Sequence, residues 1–257
     1  MLKNKKTIII IFSIILFIIF LIIGGICLNR KNKEKSGNNI ATENQVKDNF
    51  TNMFSNIEYL EDEDQMVKLT YDLKKSEQGK YDINVNLPKI DIDTQIVNDI
   101  NEDILNTFGT KLVDIVKNNT TNTIYSVNYV TFINNNILSL VIKCTLKEGN
   151  NPQRAIIKTY NYDIYNDTIV TLDEILELKK IDKNNLQSQI INEVREKNEN
   201  ASTLAEQGYN IYVRDIRSDE YLIKNITTYY LGQDGNLYII FAYGNNHFTE
   251  TMDIIIA

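Results

Sequence analysis

The side chains in this sequence that could do chemistry are few and far apart. There is one histidine, His247, and there are two cysteines, Cys27 and Cys144. The common zinc hydrolase motifs need at least two histidines, and no His-Glu-x-x-His run occurs. Cys27 and Cys144 belong to different parts of the chain, so thiolate ligation offers no substitute. A Ser-His-Asp triad would need His247 beside an exposed serine, and no G-x-S-x-G elbow is present. Walker and dinucleotide loops are absent, and "GQDG" at 232–235 reads as a turn, not a phosphate cradle. The expectation is therefore no catalytic residue, no cofactor and no metal site. One chemistry stays open: two carboxylates working as acid and base, as in glycosidases. The spacing of the acids selects no pair.

The candidates also have structural readings. His247 follows Asn245 and Asn246 at the end of an apolar run. That predicts a loop or strand-end residue, facing solvent or bonded to a backbone carbonyl. Cys144 shares a face with Leu138, Leu140, Ile142 and Leu146, which predicts a small buried hydrophobe, not a nucleophile. Glu61, Asp62, Glu63 and Asp64 lack the glycine and spaced ligands of a calcium loop, so they read as a solvated acidic run.

The elements that must position these residues begin after an apolar N-terminus. Residues 7–27, TIIIIFSIILFIIFLIIGGIC, carry no charge, and their only polar side chains are Thr7 and Ser13. At about 1.5 Å per residue they reach about 30 Å, the thickness of a bilayer core. That is longer than the apolar part of a signal peptide, and Ile26 before Cys27 is not the small residue of a lipoprotein cleavage site. A retained single-span anchor is predicted. Lys3, Lys5 and Lys6 precede it, and Arg30, Lys31, Lys33 and Lys35 follow, so charge does not orient it.

Residues 1–35 hold seven of the 27 Lys and Arg and one of the 34 Asp and Glu, leaving 20 basic and 33 acidic side chains and a formal charge of −13 for residues 36–257. Such a surface argues against nucleic acid and suits a basic protein partner, or solubility alone.

Five segments are expected: a short tail at 1–6, the span at 7–27, a polar linker with an amphipathic helix at 28–65, an α+β half at 66–120 and a second at 121–257. In the linker, Thr42 and Gln45 have capping-box spacing, and Val46, Phe50, Met53, Phe54, Ile57 and Leu60 recur at helical spacing. This helix either docks on the domain, forms a stalk, or binds a partner or membrane surface. "MVKLTYDL" and "KYDINVNL" alternate around Gln78-Gly79, a hairpin signal. A helix over 94–117 is predicted, with Asp93 as N-cap and Gly109 as a weak point. "TIYSVNYVTFI" and "NILSLVIKCTL" flank Asn134-Asn135-Asn136, and "RAIIKTYNYDIY" ends at Asn166-Asp167. "TLDEILELKK" reads as a short helical turn capped by Thr171 or Asp173, and "DKNNLQSQIINEVREKNEN" as a helix. "YLIKNITTYYL" and "NLYIIFAY" are predicted strands joined through Asp234-Gly235, and "TMDIIIA" closes the chain. With 10 glycines and two prolines in all, the turns must rely on Asn and Asp. The fold class is α+β: antiparallel sheets with two main helices packed on one side, preceded by a transmembrane helix.

The quoted runs carry a resemblance. "YDINVNLPKIDIDTQIVNDINEDI", with Leu87-Pro88 and then Asn101 in a helix, resembles an N-terminal extracytoplasmic module of Gram-positive envelope proteins that precedes the catalytic domain in some peptidoglycan deacetylases. "YNYDIYNDTIVTLDEIL" and "TTYYLGQDGNLYIIFAYG" resemble the half that follows it. Together, over about residues 66–257, they resemble the lysozyme-sensing ectodomain of RsiV-type anti-sigma factors. The resemblance implies a single-pass cell-membrane protein with its C-terminal domain extracytoplasmic, and a binding or sensing module, not an enzyme. It implies lysozyme, a basic protein, or peptidoglycan as ligand. The tail at 1–6 is too short to hold a sigma factor, so no anti-sigma activity is expected. The deacetylase domain is missing, and neither "KEGNNPQRAI" nor the end of the chain matches the family's His-containing turn and Pro-Tyr segment, so no ligand-binding residue is carried over. The alternative is a cell-wall glycoside hydrolase, or an accessory protein of wall modification, using paired carboxylates.

Overall fold

The computed structural model describes residues 43–54, 65–118 and 121–257. The predicted span at 7–27, most of the linker and the acidic run Glu61–Asp64 lie outside the described residues. No helix among the described residues is long and apolar enough to cross a membrane. Residues Val46–Ala257 form one compact unit.

Helix α1 (Glu43–Asn52) is the first described element, and the unit begins within it. Strands β1 (Val67–Glu77) and β2 (Tyr81–Ile90) form the expected hairpin, with Gly79 at a positive φ of 77° in its turn. Helix α2 (Gln95–Ile104) follows, capped by Thr94, whose hydroxyl accepts the Val97 N–H at 3.3 Å. The cap is therefore one residue beyond the predicted Asp93. A π-turn over Leu105–Gly109 separates α2 from α3 (Thr110–Lys117). The predicted single helix is thus widened where Gly109 weakens it.

Strands β3 (Thr123–Asn134), β4 (Ile137–Lys147), β5 (Arg154–Asp163) and β6 (Thr168–Ile169) complete a sheet in the order β1-β2-β3-β4-β5-β6. Asn135 at φ 53° turns β3 into β4, and Asp167 at φ 53° follows β5. Both residue types tolerate the left-handed region, which suits a chain poor in glycine. The sheet is not purely antiparallel as predicted: β2 pairs with β3 in parallel, Tyr81 opposite Thr123 through Val85 opposite Val127. The connection between them carries helices α2 and α3, and a parallel pair needs a crossover of that length. This pairing also runs the sheet across residue 120, the expected boundary between two halves.

Helix α4 (Leu172–Lys179) carries a full capping box between Thr171 and Glu174, and α5 (Lys183–Glu206) begins at Asp182. β7 (Tyr229–Leu231), β8 (Leu237–Ala242) and β9 (Met252–Ile256) form a second, antiparallel sheet. The predicted strand at "YLIKNITTYYL" is confined to β7. Before it lie two 3₁₀ turns, Asp219–Tyr221 and Ile223–Asn225. Gln187 of α5 donates to the Tyr221 carbonyl at 2.8 Å and accepts the Ile223 N–H at 3.1 Å, taking backbone groups that a ladder would have used.

Three apolar clusters bind these layers. One lies between α2–α3 and the first sheet, with Val97, Ile100, Phe108 and Leu112 against Ile83, Val85, Val127 and Cys144. The second joins the other face of β4 and β5 to the second sheet, through Val141, Ile157, Tyr230 and Ile240, and includes Phe50 and Phe54 from the α1 segment. The third packs Leu237, Ile239, Phe241 and Ile255 against Ile175, Leu176, Ile190 and Val194 of α4 and α5. The predicted placement of both main helices on one side is therefore corrected. α2–α3 covers the first sheet and α5 the second, on opposite sides of the paired sheets. β8 explains why: it is apolar on both faces, so it needs a sheet on one side and helices on the other.

Two amide side chains, half-buried Asn101 and buried Asn161, fix these layers in place. Asn101 in α2 accepts the Ile90 N–H at 2.8 Å and donates to the Ile90 carbonyl at 2.9 Å. Asn161 receives the Ser139 hydroxyl at 2.7 Å and donates to the Tyr229 carbonyl at 2.8 Å, tying the two sheets together.

Candidate functional site

Two clefts flank the β4–β5 connection and share Pro152, Gln153 and Glu250. Gln153 donates to the Glu250 carboxylate and so forms the ridge between them.

The first cleft, of about 780 Å³, is lined by three segments: the β1–β2 turn, residues 122–124 and the β4–β5 loop. The side-chain amides of Gln78, Asn122, Asn150, Asn151 and Gln153 all border it. Thr123, 1% exposed, lies at its floor, and its hydroxyl has no hydrogen-bond partner among the described residues. Amide groups offer both donors and acceptors, so this cleft suits a polar ligand that carries both.

The second cleft, of about 590 Å³, lies between residues 210–213 and residues 248–251. The run Asn210–Val213 has no assigned secondary structure, and its backbone makes no hydrogen bond to the described residues. Burial nevertheless alternates with the period of a strand: Ile211 and Val213 are exposed, Tyr212 is half-buried and Arg214 is buried. Tyr209 and Phe248 add exposed apolar surface, at 63% and 52%. The Arg154 guanidinium lies 5.1 Å from the centre of the Phe248 ring.

A buried charged cluster holds this run in place. Arg214 donates from Nε and Nη2 to the two oxygens of Asp253, each at 2.6 Å. Asp253 is fully buried and Arg214 is 8% exposed. The Tyr243 hydroxyl donates to Asp253 at 2.6 Å and lies 2.9 Å from the Tyr221 hydroxyl. The Arg214 N–H bonds Asn198 Oδ1 at 2.8 Å, and Lys197 Nζ stands 3.8 Å from Asp253. Burial alone would lower the Arg214 pKa, but its bonds to Asp253 outweigh that and hold it above its usual range. Burial, reinforced by Asp253, pushes the Tyr243 hydroxyl far above the ordinary tyrosine range, so it stays a donor.

The residues singled out in the sequence fall around this cluster, not in it. His247 is exposed, just past the 3₁₀ turn Tyr243–Asn245, with its backbone N–H on the Tyr243 carbonyl at 2.8 Å. Its ring packs 5.7 Å from Tyr212, which packs 4.6 Å from Tyr243. No hydrogen bond from the imidazole to a carboxylate or hydroxyl occurs among the described residues. Cys144 is fully buried, and burial pushes its thiol up to about 12. Among the described residues no three His, Cys, Asp or Glu side chains cluster as metal ligands would. The sequence reading missed Arg214 and Asp253. One signal was available: Asp253 is a lone charge inside the apolar run "MDIIIA", and a charge on a core strand needs a partner.

The fold is a two-sheet α+β domain with two adjoining clefts beside the β4–β5 connection. No protein-family model matches the chain, and no curated protein matches it. Among solved structures it is similar to a DUF3298 family protein from Pseudomonas aeruginosa PAO1, at 9% sequence identity and a TM-score of 0.44, over 74% of this chain and 86% of that one.

Proposed function

We propose that this chain is a membrane-anchored extracytoplasmic binding protein of the bacterial envelope, and that its domain engages a basic protein of the lysozyme kind at the second cleft. One observation carries the reading: Asn210–Val213 presents backbone groups unpaired among the described residues, with exposed Ile211, Val213 and Phe248 alongside. An unpaired run with strand-period side chains is the surface onto which another polypeptide adds its main chain. Apolar side chains beside it supply the anchors that such interfaces need. The formal charge of −13 over residues 36–257 favours a basic partner by steering its approach. The uncharged run at 7–27 supports the anchor, and the envelope setting follows from the resemblance of residues 66–257 to the extracytoplasmic module. No anti-sigma activity belongs to this reading.

A co-sedimentation and pull-down assay tests it. Residues 36–257 are incubated with lysozyme and, separately, with insoluble peptidoglycan, at low and at physiological salt. Lysozyme retained by the domain supports the reading. Binding to peptidoglycan alone moves the ligand to the amide-lined first cleft. Release of soluble sugar from peptidoglycan would instead favour the carboxylate-hydrolase alternative. No binding to either partner at either salt rules the reading out.

A further inference from the structure

β1 is an edge strand of 11 residues, regular from Tyr71 to Glu77 after a bulge at Thr70, and among the described residues no strand pairs with its outer side. Beside it runs an apolar groove of about 640 Å³, bounded by Tyr71 and Leu73 of β1 and by Leu105, Val113 and Val116 of the helical segment. Tyr71, Leu105 and Val113 are 45%, 52% and 46% exposed. A long edge next to exposed apolar side chains is a template for another strand, and proteins that must avoid this usually guard the edge with lysines. β1 does carry Lys68, Lys74 and Lys75. Asp72 stands two residues before Lys74, on the same outer face of the strand.

We propose that the edge of β1 pairs with the same edge of a second copy, antiparallel, about a two-fold axis through Leu73. Charge and face select this register. Both copies keep their helices on the same side of a joined sheet only if residues of like parity face each other, so the axis must pass through a residue. An axis at Asp72 sets Asp72 against Asp72. An axis at Lys74 sets Lys74 against its own copy, one at Tyr71 or earlier runs into the bulge at Thr70, and one at Ser76 leaves only residues 75–77 of the strand to pair. An axis at Leu73 sets Asp72 opposite Lys74 twice and Tyr71 opposite Lys75 twice. Opposite charges and a cation facing an aromatic ring are favourable cross-strand pairs. Lys74 and Lys75, which would guard a lone edge, thus become its matching half, while Lys68 stays paired with Asp91. The two apolar grooves then meet across the axis, and Leu105 and Val113 gain apolar neighbours. This inference is independent of the binding function proposed above.

The test uses the full-length chain in membranes with Cys27→Ser, so that engineered thiols alone are accessible. A Leu73→Cys thiol lies on the axis, at a cross-strand spacing a disulfide spans. Mild oxidation should give a covalent species of twice 29.7 kDa. Ser76→Cys, about 20 Å from its own copy in this register, should cross-link at least tenfold less. Adding Asp72→Lys to Leu73→Cys should cut the yield at least tenfold, and adding Lys74→Asp as well should restore it. Because Leu73 touches the core, a second pair guards against misfolding: Asp72→Cys chains mixed with Lys74→Cys chains should give the heterodimer. Equal yields at positions 73 and 76, as dimerisation through the anchor alone would give, overturn the proposal. So does a Leu73→Cys yield that Asp72→Lys leaves unchanged, or the absence of cross-links in both designs.

Discussion

Arg214 and Asp253 meet side by side through two N–H···O bonds of 2.6 Å each, although 39 residues separate them. Arg214 closes the irregular run that borders the second cleft, and Asp253 sits on β9. The pair therefore fixes the border of the second cleft to the core. Asp253→Asn would leave the buried guanidinium without its counter-charge. The expected loss is about 3–5 kcal/mol in urea unfolding. Arg214→Met with Asp253→Leu should recover much of it, because removing both charges also removes the desolvation cost.

Phe50 and Phe54 decide between the readings of the amphipathic linker helix. They are 2% and 7% exposed and meet edge to face at 5.2 Å. Phe50 also approaches Tyr230, which stacks with Phe132 on one side and Tyr238 on the other. The segment docks on the domain. Phe50→Ala should cost about 3–5 kcal/mol, measured by thermal or urea unfolding, as expected for a buried aromatic side chain. A change below about 0.5 kcal/mol, typical of surface positions, would mark the segment as a stalk.

Asp103 gives a pH signature. Burial would raise its carboxyl, but hydrogen bonds from Lys158 and Tyr160 and the Lys158 charge outweigh that and lower it. A depressed folded value means stability that is present above the unfolded pKa, about 3.9, and is lost as pH falls through the folded value. The carboxyl is 46% exposed, so screening keeps the gain small. Asp103→Asn should cost under about 1 kcal/mol at pH 7 and nothing at a pH below the folded value. Urea midpoints of the two proteins at both pH values would show it. A cost that persists in acid would assign Asp103 a role other than its charge.

The hairpins and the buried face of α2–α3 were legible because their apolar residues recur with a clear period. β8 was legible as a strand from "NLYIIFAY" alone. The paired sheets were not, since nothing in a local pattern says which apolar face meets which. The parallel β2–β3 pair was hidden for the same reason: it joins strands on either side of a helix. The false strand before β7 had a strand-like composition, and its backbone is diverted by local 3₁₀ bonds and by Gln187, a side chain distant in sequence. Arg214 escaped because the run at 209–214 has no period long enough to read, and Asp253, a lone charge in "MDIIIA", does not say which distant cation pairs with it. His247 attracted notice as a rare residue type, and it turned out to be an exposed neighbour of the surface.

The most direct test is the affinity of the domain for lysozyme, measured by titration calorimetry for the natural sequence and for Ile211→Asp. Ile211 is exposed, so the variant should keep its unfolding midpoint. Binding of the natural domain should weaken as salt rises, as steering by opposite charge requires, and Ile211→Asp should lose at least tenfold in affinity. Equal affinity of the two proteins, with both fully folded, would contradict the assignment of the second cleft as the recognition surface.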